Sequence, residues 1–345
     1  MLKTHEISDM KQYQLIVFGS AWDVYEHSFR EMIDHPRCVY LRPFSSIGFR
    51  GFIQRVLFNP KWSHLIPLSW KTYWNTCYVD SLDKNGAYCF LILENWLRVE
   101  RYTRLLPYLR RTFPNARIVC YLQDLVERTK DLYSHKPIDI ELIKQQADLV
   151  LSYDKNDVAR YALTYAPTVY SDIAEQQQPV LEQFDLCFLG RDKGRLPLLV
   201  SICRQMNSLG KRCTFYVLQV PKDRQIAQEG IHYIDNPLSY EQNLQVIRQS
   251  QCLLELLQPD AQSETFRTWE AIVMNKKLMT NNASIVQAPW YDPHYISVFK
   301  DERDIDWTFL NKQSLPWTKN PYVALIAPAT LVRNIEQQLH ITIDY

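Results

Sequence analysis

The sequence predicts an α/β fold of two domains, each with a parallel sheet covered by crossover helices. Short apolar runs alternate with helical patterns along the chain, and this alternation is typical of parallel sheets. The alternation is interrupted by a polar stretch at 171–183 and then starts again. Because a length of 345 residues suits two domains of ordinary size, the stretch 171–183 is predicted to be a linker.

The first domain, residues 1–170, is predicted to begin the alternation. Each predicted strand is a short apolar run, and helical segments such as 96–113 lie between the runs. The predicted strands lie at 13–20, 38–43, 87–95, 117–124 and 149–154.

The second domain, residues 184–320, repeats the pattern. Its helical patterns predict helices at 196–209 and 240–250, and a third helix before the last strand. Its apolar runs predict strands at 185–190, 212–220, 231–236, 251–257 and 276–282. Residues 321–345 are predicted to form a closing helix that crosses back to the first domain.

Composition and charge exclude several classes of protein. The chain is 46% hydrophobic and 22% charged, which is typical of a globular protein rather than a disordered or fibrous one. The formal net charge is only +1, so we expect no nucleic-acid partner. The eight cysteines form no C-x-x-C pair, and we expect free thiols in a reducing compartment rather than disulfides or a zinc site.

Targeting signals and common nucleotide motifs are also missing from the sequence. No run approaches the roughly 18 apolar residues that span a bilayer, so we expect a cytoplasmic protein, with the inner face of the cell membrane as an optional site of attachment. With only 8 glycines there is no G-x-G-x-x-G or Walker loop, which counts against a nicotinamide enzyme or a P-loop kinase. No D-x-D motif follows an apolar strand, so we expect neither a metal nor a cofactor.

One helix of the second domain carries the most informative side chains. Ser263 or Thr265 can cap its start, where N–H groups and the helix dipole attract phosphate. With 3.6 residues per turn, Arg267 and Glu270 share one face, apart from the apolar face that includes Trp269. We expect Arg267 to pair with a phosphate oxygen and Glu270 to accept hydrogen bonds from two ribose hydroxyls. The alternative is a solvated Arg–Glu pair.

A cationic loop lies near the start of the second domain. Arg191, Lys193 and Arg195 cluster around Gly190 and Gly194, directly after a predicted strand. Glycines permit close approach of the backbone, and the cations can neutralise a diphosphate leaving group. The alternative is a solvated loop of mixed charge.

Three segments of the second domain, QCLLELL, QSETFRTWEA and NKKLMTNN, together resemble the carboxy-terminal domain of GT-B glycosyltransferases. The resemblance is strongest to bacterial enzymes of capsular polysaccharide and lipopolysaccharide assembly. In many such enzymes two acidic residues are separated by seven others, and the second binds the ribose of the nucleotide sugar. Gln262 and Glu270 stand at these positions, so the spacing is kept and the first carboxylate is lost. Glu264 either substitutes for it or is a first-turn helix residue.

The resemblance implies two Rossmann-like domains that face a cleft, which is the GT-B arrangement. It implies an enzyme that moves a sugar from a nucleotide-sugar donor to a glycan or a polyprenyl-diphosphate-linked acceptor. We expect a metal-independent reaction in which the helix dipole and cations do the work of a metal. The expected donor-binding residues are Arg191, Lys193, Arg195, Gln262, Ser263, Glu264, Thr265, Arg267 and Glu270.

Two alternative functions stay open for the same fold. The first is a nucleotide-sugar epimerase, which would act without an acceptor. The second is a non-catalytic partner of a transferase complex, which the missing acid at Gln262 favours.

The first domain contains a cationic and aromatic stretch, 35–79, without an internal Asp or Glu. Its members Arg42, Arg50, Arg55 and Lys61 are expected to contact an anionic membrane surface or a polyprenyl-diphosphate acceptor. Single-stranded nucleic acid attracts the same mixture, but the balanced remainder of the chain disfavours it. A further alternative places the aromatic residues in the core and the arginines in water.

Transfer to a hydroxyl also needs a base near the acceptor. Asp23 follows the first predicted strand, and Asp124 ends the run 117–124. Both are expected where the carboxyl ends of strands meet the cleft, and they are the candidate catalytic residues. Either one could instead be a helix N-cap.

Overall fold

The computed structural model describes residues 11–43, 75, 78–131, 135–171, 180–258, 261–312 and 321–345. The chain divides into two compact units, Met1–Ser171 with Ala327–Tyr345, and Asp172–Ile326. Each unit holds a sheet in which every strand pair is parallel, which confirms the predicted α/β fold. The end of the chain belongs to the first unit, as predicted.

The sheet of the first unit is built around β1 (Gln12–Phe18). The order of its strands is β13-β1-β3-β4-β5-β6, and β2 pairs with β1 as well. Both β13 and β2 lie on the side of β1 opposite to β3. β13 pairs with the amino half of β1, and β2 pairs with its carboxyl half. The other strands are β2 (Val39–Leu41), β3 (Tyr88–Leu93), β4 (Arg117–Leu122), β5 (Leu149–Ser152), β6 (Thr164–Tyr165) and β13 (Thr342–Asp344).

Helices and apolar cores cover both faces of this sheet. Every residue of β3 is buried, as expected for a central strand with both faces covered. The helices are α1 (Asp23–Ser28), α2 (Arg30–Asp34), α3 (Glu94–Leu97), α4 (Glu100–Thr103), α5 (Leu105–Thr112), α6 (Ile140–Gln146), α7 (Lys155–Tyr161) and α11 (Pro328–Leu339).

The helix predicted over 96–113 is divided into α3, α4 and α5. The main break is at Arg104, which has a left-handed backbone with φ of 52°. Pro107 lies in the first turn of α5, where its missing N–H costs nothing, but it could not continue a helix from upstream. The Glu100 carboxylate accepts hydrogen bonds from the N–H groups of Leu105 and Leu106 and so caps the new helix.

The sheet of the second unit has the strand order β12-β11-β10-β7-β8-β9. Counted along the domain, this is sixth, fifth, fourth, first, second, third, which is the strand order of dinucleotide-binding domains. Its strands are β7 (Phe184–Arg191), β8 (Cys213–Leu218), β9 (Ile231–Ile234), β10 (Ser250–Glu255), β11 (Lys277–Thr280) and β12 (Ile296–Val298). Its helices are α8 (Leu196–Ser208), α9 (Tyr240–Arg248) and α10 (Phe266–Val273).

The starts of three helices follow from their sequences. Pro197 and Pro328 lie in the first turns of α8 and α11, where proline is favoured. Ser239 and Gln242 form a capping box at α9, in which each side chain bonds the other residue's backbone N–H. These local signals set the starts of α8 and α9, which flank the second sheet, and of α11, which lies near the end of the chain.

Two expectations from composition can be compared with the structure. Each of the cysteines in the described ranges is a free thiol, and all but Cys38 are buried. Within the described part of the chain, none of the helices has the length and apolar character needed to cross a membrane.

The closing helix α11 contributes strongly to the stability of the first unit. Ile335 is fully buried and belongs to the same apolar cluster as Val119 and Leu151. We expect Ile335→Ala to lower the free energy of unfolding by about 2–5 kcal/mol, because it leaves a cavity at the sheet. Gln337→Ala on the exposed face of α11 should change it by less than about 0.5 kcal/mol. Urea unfolding of both variants tests this, and equal stabilities would contradict it.

Candidate functional site

The strand order of the second sheet reverses between β7 and β10, and the space outside the carboxyl ends of these two strands is called the crevice below. Ligands of such sheets bind outside the carboxyl ends of the strands at this point. The loops that follow β7 and β10 are tied together by Arg195. Its Nη1 donates to the Leu256 carbonyl at 2.5 Å, and its Nη2 and Nε donate to the carbonyls of Arg191 and Asp192. Arg195 therefore fixes the two loops that border the crevice.

The loop after β7 has a left-handed backbone, which favours a glycine at Gly194. Lys193 and Gly194 are consecutive residues in the left-handed region, with φ of 45° and 82°. The loop ends at Asp192 and Leu196, where the Asp192 Oδ1 accepts the first helical N–H of α8 at 2.8 Å. The Asp192 Oδ2 also accepts from Arg224 at 2.8 Å. This arrangement leaves the Lys193 side chain exposed.

Arg191 is the last residue of β7, and its side chain extends towards the end of β8. It is exposed, and its Nη1 donates to the Gln219 side-chain oxygen, which is neutral. The guanidinium of Arg195, by contrast, lies 5.2 Å from the centre of the Phe188 ring and is half-buried. Of the three predicted cations, Arg191 and Lys193 are thus the accessible ones, and Arg195 has mainly a positioning role.

The start of α10 is organised by a carboxylate that the motif analysis missed. Glu255 is the last residue of β10 and is 1% exposed. Its Oε1 accepts from the Thr265 N–H at 3.3 Å, the Thr265 hydroxyl at 2.5 Å and the Thr268 hydroxyl at 2.7 Å. Its Oε2 accepts from the Thr280 hydroxyl at 2.6 Å. A charged residue inside the apolar run QCLLELL was the sequence signal for it.

The N-cap of α10 is Thr265, one of the two predicted capping residues. Its Oγ1 accepts from the Arg267 N–H at 3.1 Å. Ser263 and Glu264 precede the cap and are buried, and Gln262 is exposed. Because Glu264 lies before the N-cap, the reading of Glu264 as a first-turn helix residue is wrong.

Arg267 and Glu270 form an ion pair that is not a solvated surface pair. The Arg267 Nη1 bonds to the Glu270 Oε2, and the Tyr240 hydroxyl donates to the Glu270 Oε1 at 2.9 Å. Glu270 is fully buried, whereas the side chain of Arg267 is 21% exposed. Burial raises the pKa of Glu270, and the charge of Arg267 and the Tyr240 hydrogen bond oppose this rise. Arg267 is the partner that reaches the surface.

The loop before α10 is also held from its other side. The Ser284 hydroxyl donates to the Gln262 carbonyl at 2.8 Å and to the Asn282 side chain at 2.7 Å. Asn281, just after β11, accepts the Leu257 N–H at 2.7 Å. The predicted donor-binding residues therefore all lie in or beside the loops that follow β7 and β10, two adjacent strands.

The two candidate bases of the first unit follow the carboxyl ends of β1 and β4. Asp23 is exposed in the first turn of α1, and the N-cap is Trp22. Asp124 is half-buried, and its Oδ1 accepts only the adjacent Leu125 N–H, at 2.9 Å, among the hydrogen bonds of the described residues. Neither aspartate is the N-cap of a helix, so the capping alternative is wrong for both.

Glu94 is a second buried carboxyl that the motif analysis missed. It follows β3 directly, is 8% exposed, and its Oε2 accepts from the N–H groups of Gln123 and Asp124 at 2.9 and 2.6 Å. Burial and the nearby charge of Asp124 raise the pKa of Glu94 to about 7, and these hydrogen bonds and Arg98 oppose the rise. The position of Glu94 at the end of the apolar run 87–95 was the available signal.

Of the four residues predicted to contact the acceptor or a membrane, Arg42 is the one that the structure describes. Its guanidinium pairs with Glu26 and lies 5.4 Å from the centre of the Tyr40 ring. The other members of the set, Arg50, Arg55 and Lys61, fall outside the described residues, and their role stays a prediction.

Comparison with known proteins gives matches among solved structures only. No protein-family model matches the chain, and no curated protein matches it. The chain is similar to an alpha,alpha-trehalose-phosphate synthase (UDP-forming) from Burkholderia vietnamiensis, with 12% identity and a TM-score of 0.47 over 96% of each chain. It is also similar to the glycotransferase of kitacinnamycin, with 10% identity and a TM-score of 0.44 over 95% of this chain and 99% of that one. At such low identities and TM-scores, the assignment of function depends on the side chains of the site.

Proposed function

We propose that this chain is a glycosyltransferase that moves a sugar from a nucleotide-sugar donor to a glycan or lipid-linked glycan acceptor. The observation that carries the proposal is the crevice between β7 and β10. The end of β7 and the loop after it present Arg191 and Lys193, and the loop after β10 leads into α10 with Arg267 in its first turn. A strand-order reversal lined by cations and a helix start is a favourable place for a diphosphate.

The charge balance of the crevice supports an anionic ligand. Glu255 lies under the start of α10, but four hydrogen bonds from protein groups hold it. Glu270 and Asp192 are paired with Arg267 and Arg224. A diphosphate would therefore meet the guanidinium of Arg191 and the ammonium of Lys193, together with the exposed part of Arg267.

Glu270 has a different proposed role from the one that the resemblance implies. To bind ribose, Glu270 would have to exchange Tyr240 or Arg267 for the ligand, because both of its oxygens are engaged and buried. We assign the contact with the donor to Arg267, and Glu270 fixes the direction of its guanidinium.

The proposed chemistry is charge neutralisation of the leaving group. As the bond between the anomeric carbon and the phosphate oxygen breaks, negative charge grows on the diphosphate. Arg191, Lys193 and the start of α10 would stabilise that charge in the transition state. This is the basis for proposing a reaction that needs no metal.

The proposed acceptor follows from the sequence rather than from contacts in the site. Bacterial surface polysaccharide assembly follows from the sequence resemblance, and a polyprenyl-diphosphate acceptor or a membrane surface follows from the cations of 35–79. Arg42 is the described member of that set, and it is paired with Glu26.

Isothermal titration with UDP-, GDP- and dTDP-linked sugars tests the proposed donor site. We expect one of these classes to bind, and we expect Lys193→Met to weaken that binding about tenfold or more, because a charge-assisted hydrogen bond contributes about 1.5–3 kcal/mol. Lys312→Met is the matched control, because this exposed lysine lies near Lys277 at the opposite, amino edge of the sheet. Its binding should equal that of the wild type.

Two results of these titrations would contradict the proposed donor site, and a third result would identify another enzyme. Absence of binding for every nucleotide sugar would contradict it, and so would equal losses in the two lysine variants. Turnover of the donor to another nucleotide sugar with no acceptor present would instead identify an epimerase.

A further inference from the structure

The first sheet has a strand-order reversal of its own. The chain runs from β1 to β2 on one side of β1 and then crosses to β3 on the other side. The carboxyl ends of β1 and β3 therefore border a second place where a ligand of an α/β sheet can bind. The residues that follow these two strands are Gly19 to Trp22 and Glu94 to Trp96.

One buried amide oxygen at this point has no donor within the part of the chain that the structure describes. Asn95 donates from Nδ2 to the Gly19 carbonyl at 3.1 Å, and the Trp96 ring N–H donates to the same carbonyl at 2.7 Å. Among the described residues, nothing donates to the buried Asn95 Oδ1. Buried polar atoms in proteins normally have a partner, so this oxygen points to a bound group that carries a hydroxyl or N–H donor.

In the described segments, hydrogen bonds reach one oxygen of the Glu94 carboxylate and not the other. Its Oε2 accepts the two backbone N–H groups that follow β4. Within the described ranges, no hydrogen bond is made by its Oε1. A carboxylate fixed in this way can accept a proton at Oε1 while its orientation is maintained.

An exposed aromatic surface lies after β1 at the same edge. The side chain of Trp22 is 57% exposed, and its ring stacks on Tyr25 with centroids 6.1 Å apart and an interplanar angle of 24°. Burial raises the pKa of Tyr25, and the charges of Glu94 and Asp124 raise it further, which means that Tyr25 lies close to both carboxyl groups. A flat aromatic face beside hydrogen-bonding groups suits a ligand with an apolar ring face and hydroxyls at its rim.

We propose that Glu94 is the catalytic base of the transferase and that the acceptor is a carbohydrate whose ring lies on Trp22. This inference rests on the proposed function. It replaces Asp23 and Asp124 as the proton acceptor, and it gives Asn95 the role of binding an acceptor hydroxyl.

The step balances as a direct displacement. The acceptor oxygen forms a bond to the anomeric carbon while its proton passes to the Glu94 Oε1. The bond between the anomeric carbon and the diphosphate breaks, and its electron pair leaves with the nucleoside diphosphate. Glu94 then returns the proton to water.

The charged groups around Glu94 set the pH dependence of the step. Glu94 faces Asp124 after β4, Arg98 after α3, Tyr25 of α1 and Tyr153 after β5. Only the ionised carboxylate can accept a proton, and the pKa of Glu94 is raised to about 7. We therefore expect kcat to rise with pH through an acid limb near pH 7 and to level off above it.

Release of nucleoside diphosphate tests the proposal, with the donor selected by titration and octyl glucoside, galactoside and mannoside as acceptors. We expect Glu94→Gln to lower kcat by about 10²–10⁴-fold and to abolish the acid limb, with an unchanged Kd for the donor. Trp22→Ala should raise KM for the glycoside and leave kcat nearly unchanged. Glu100→Gln is the matched control, because Glu100 is also buried with a pKa raised to about 8 but caps α5. Its kcat should match that of the wild type.

The outcomes separate this inference from the proposed function. If the wild type binds nucleotide sugars but Glu94→Gln keeps its kcat and its acid limb, the role of Glu94 is overturned. A wild-type profile of kcat without a limb near pH 7 overturns it even if the variant does not fold. If none of the glycosides accelerates release, the carbohydrate acceptor is wrong. A wild type that binds no nucleotide sugar overturns both proposals.

Discussion

Glu255→Ala is expected to lower the free energy of unfolding by about 3–5 kcal/mol, among the largest effects of any single substitution in the second unit. The carboxylate accepts hydrogen bonds from the hydroxyls of Thr265, Thr268 and Thr280 and joins β10 to α10 and β11. Its removal leaves several buried donors without a partner, and each such donor costs about 1–3 kcal/mol. Urea unfolding measured by circular dichroism gives the difference directly.

Two further variants make this prediction specific to the hydrogen bonds. Glu255→Gln keeps one acceptor oxygen and the side-chain volume, so it should lose less stability than the alanine variant. Glu241→Ala removes an exposed carboxylate that pairs with Arg248 on α9, and it should cost less than about 1 kcal/mol. A loss for Glu255→Ala no greater than that of Glu241→Ala would show that Glu255 does not organise the start of α10.

Arg267→Met is expected to lower the free energy of unfolding by about 3–5 kcal/mol at pH 8, because it leaves the buried Glu270 carboxylate without its counter-charge. Of the partners that the described residues supply to Glu270, the Tyr240 hydroxyl alone would remain. The substitution should also weaken binding of the nucleotide sugar, since Arg267 is the proposed contact with the donor.

The loss of stability in Arg267→Met should depend on pH in a defined direction. Burial raises the pKa of Glu270 in the folded protein, and loss of Arg267 raises it further. The folded state then binds more protons than the unfolded state between the two pKa values, so stability falls as the pH rises through that window. Below the pKa of the unfolded state, about 4.3, Glu270 is protonated in both states and the penalty disappears.

A second substitution provides the control for the pH dependence. Arg267→Met combined with Glu270→Gln removes the unpaired charge, so most of the stability should return and the added pH dependence should vanish. Urea unfolding at pH 5 and pH 8 is sufficient to see this. A deficit of Arg267→Met that is the same at both pH values would contradict the buried ion pair.

The main architecture of the protein could be predicted from the sequence because it depends on long, repeated patterns. The centres of the predicted strands, such as 118–122 and 186–189, are apolar throughout, and strands with both faces covered produce that pattern. The short strands β6, β12 and β13 could not be found in this way. Each has only two or three residues, and their pairing depends on the position of a neighbouring strand.

The predicted donor-binding residues lie at or near the ends of two adjacent strands, but their contacts could not be predicted from the sequence. Helical periodicity correctly put Arg267 and Glu270 on one face, but it could not show that Glu270 points towards Tyr240. Periodicity gives the angle between side chains, and the packing of α9 against the same sheet decides which of them is buried. Glu255 and Glu94 were missed because each is a single charge in an apolar run, and its partners come from distant segments.

The structure of a complex with the nucleotide sugar that binds most tightly in titration is the most direct test of the crevice between β7 and β10. We predict diphosphate oxygens within hydrogen-bonding distance, about 2.7–3.2 Å, of the Lys193 ammonium and the Arg267 guanidinium. A diphosphate bound elsewhere, with Arg191, Lys193 and Arg267 directed into solvent, would contradict the proposed function.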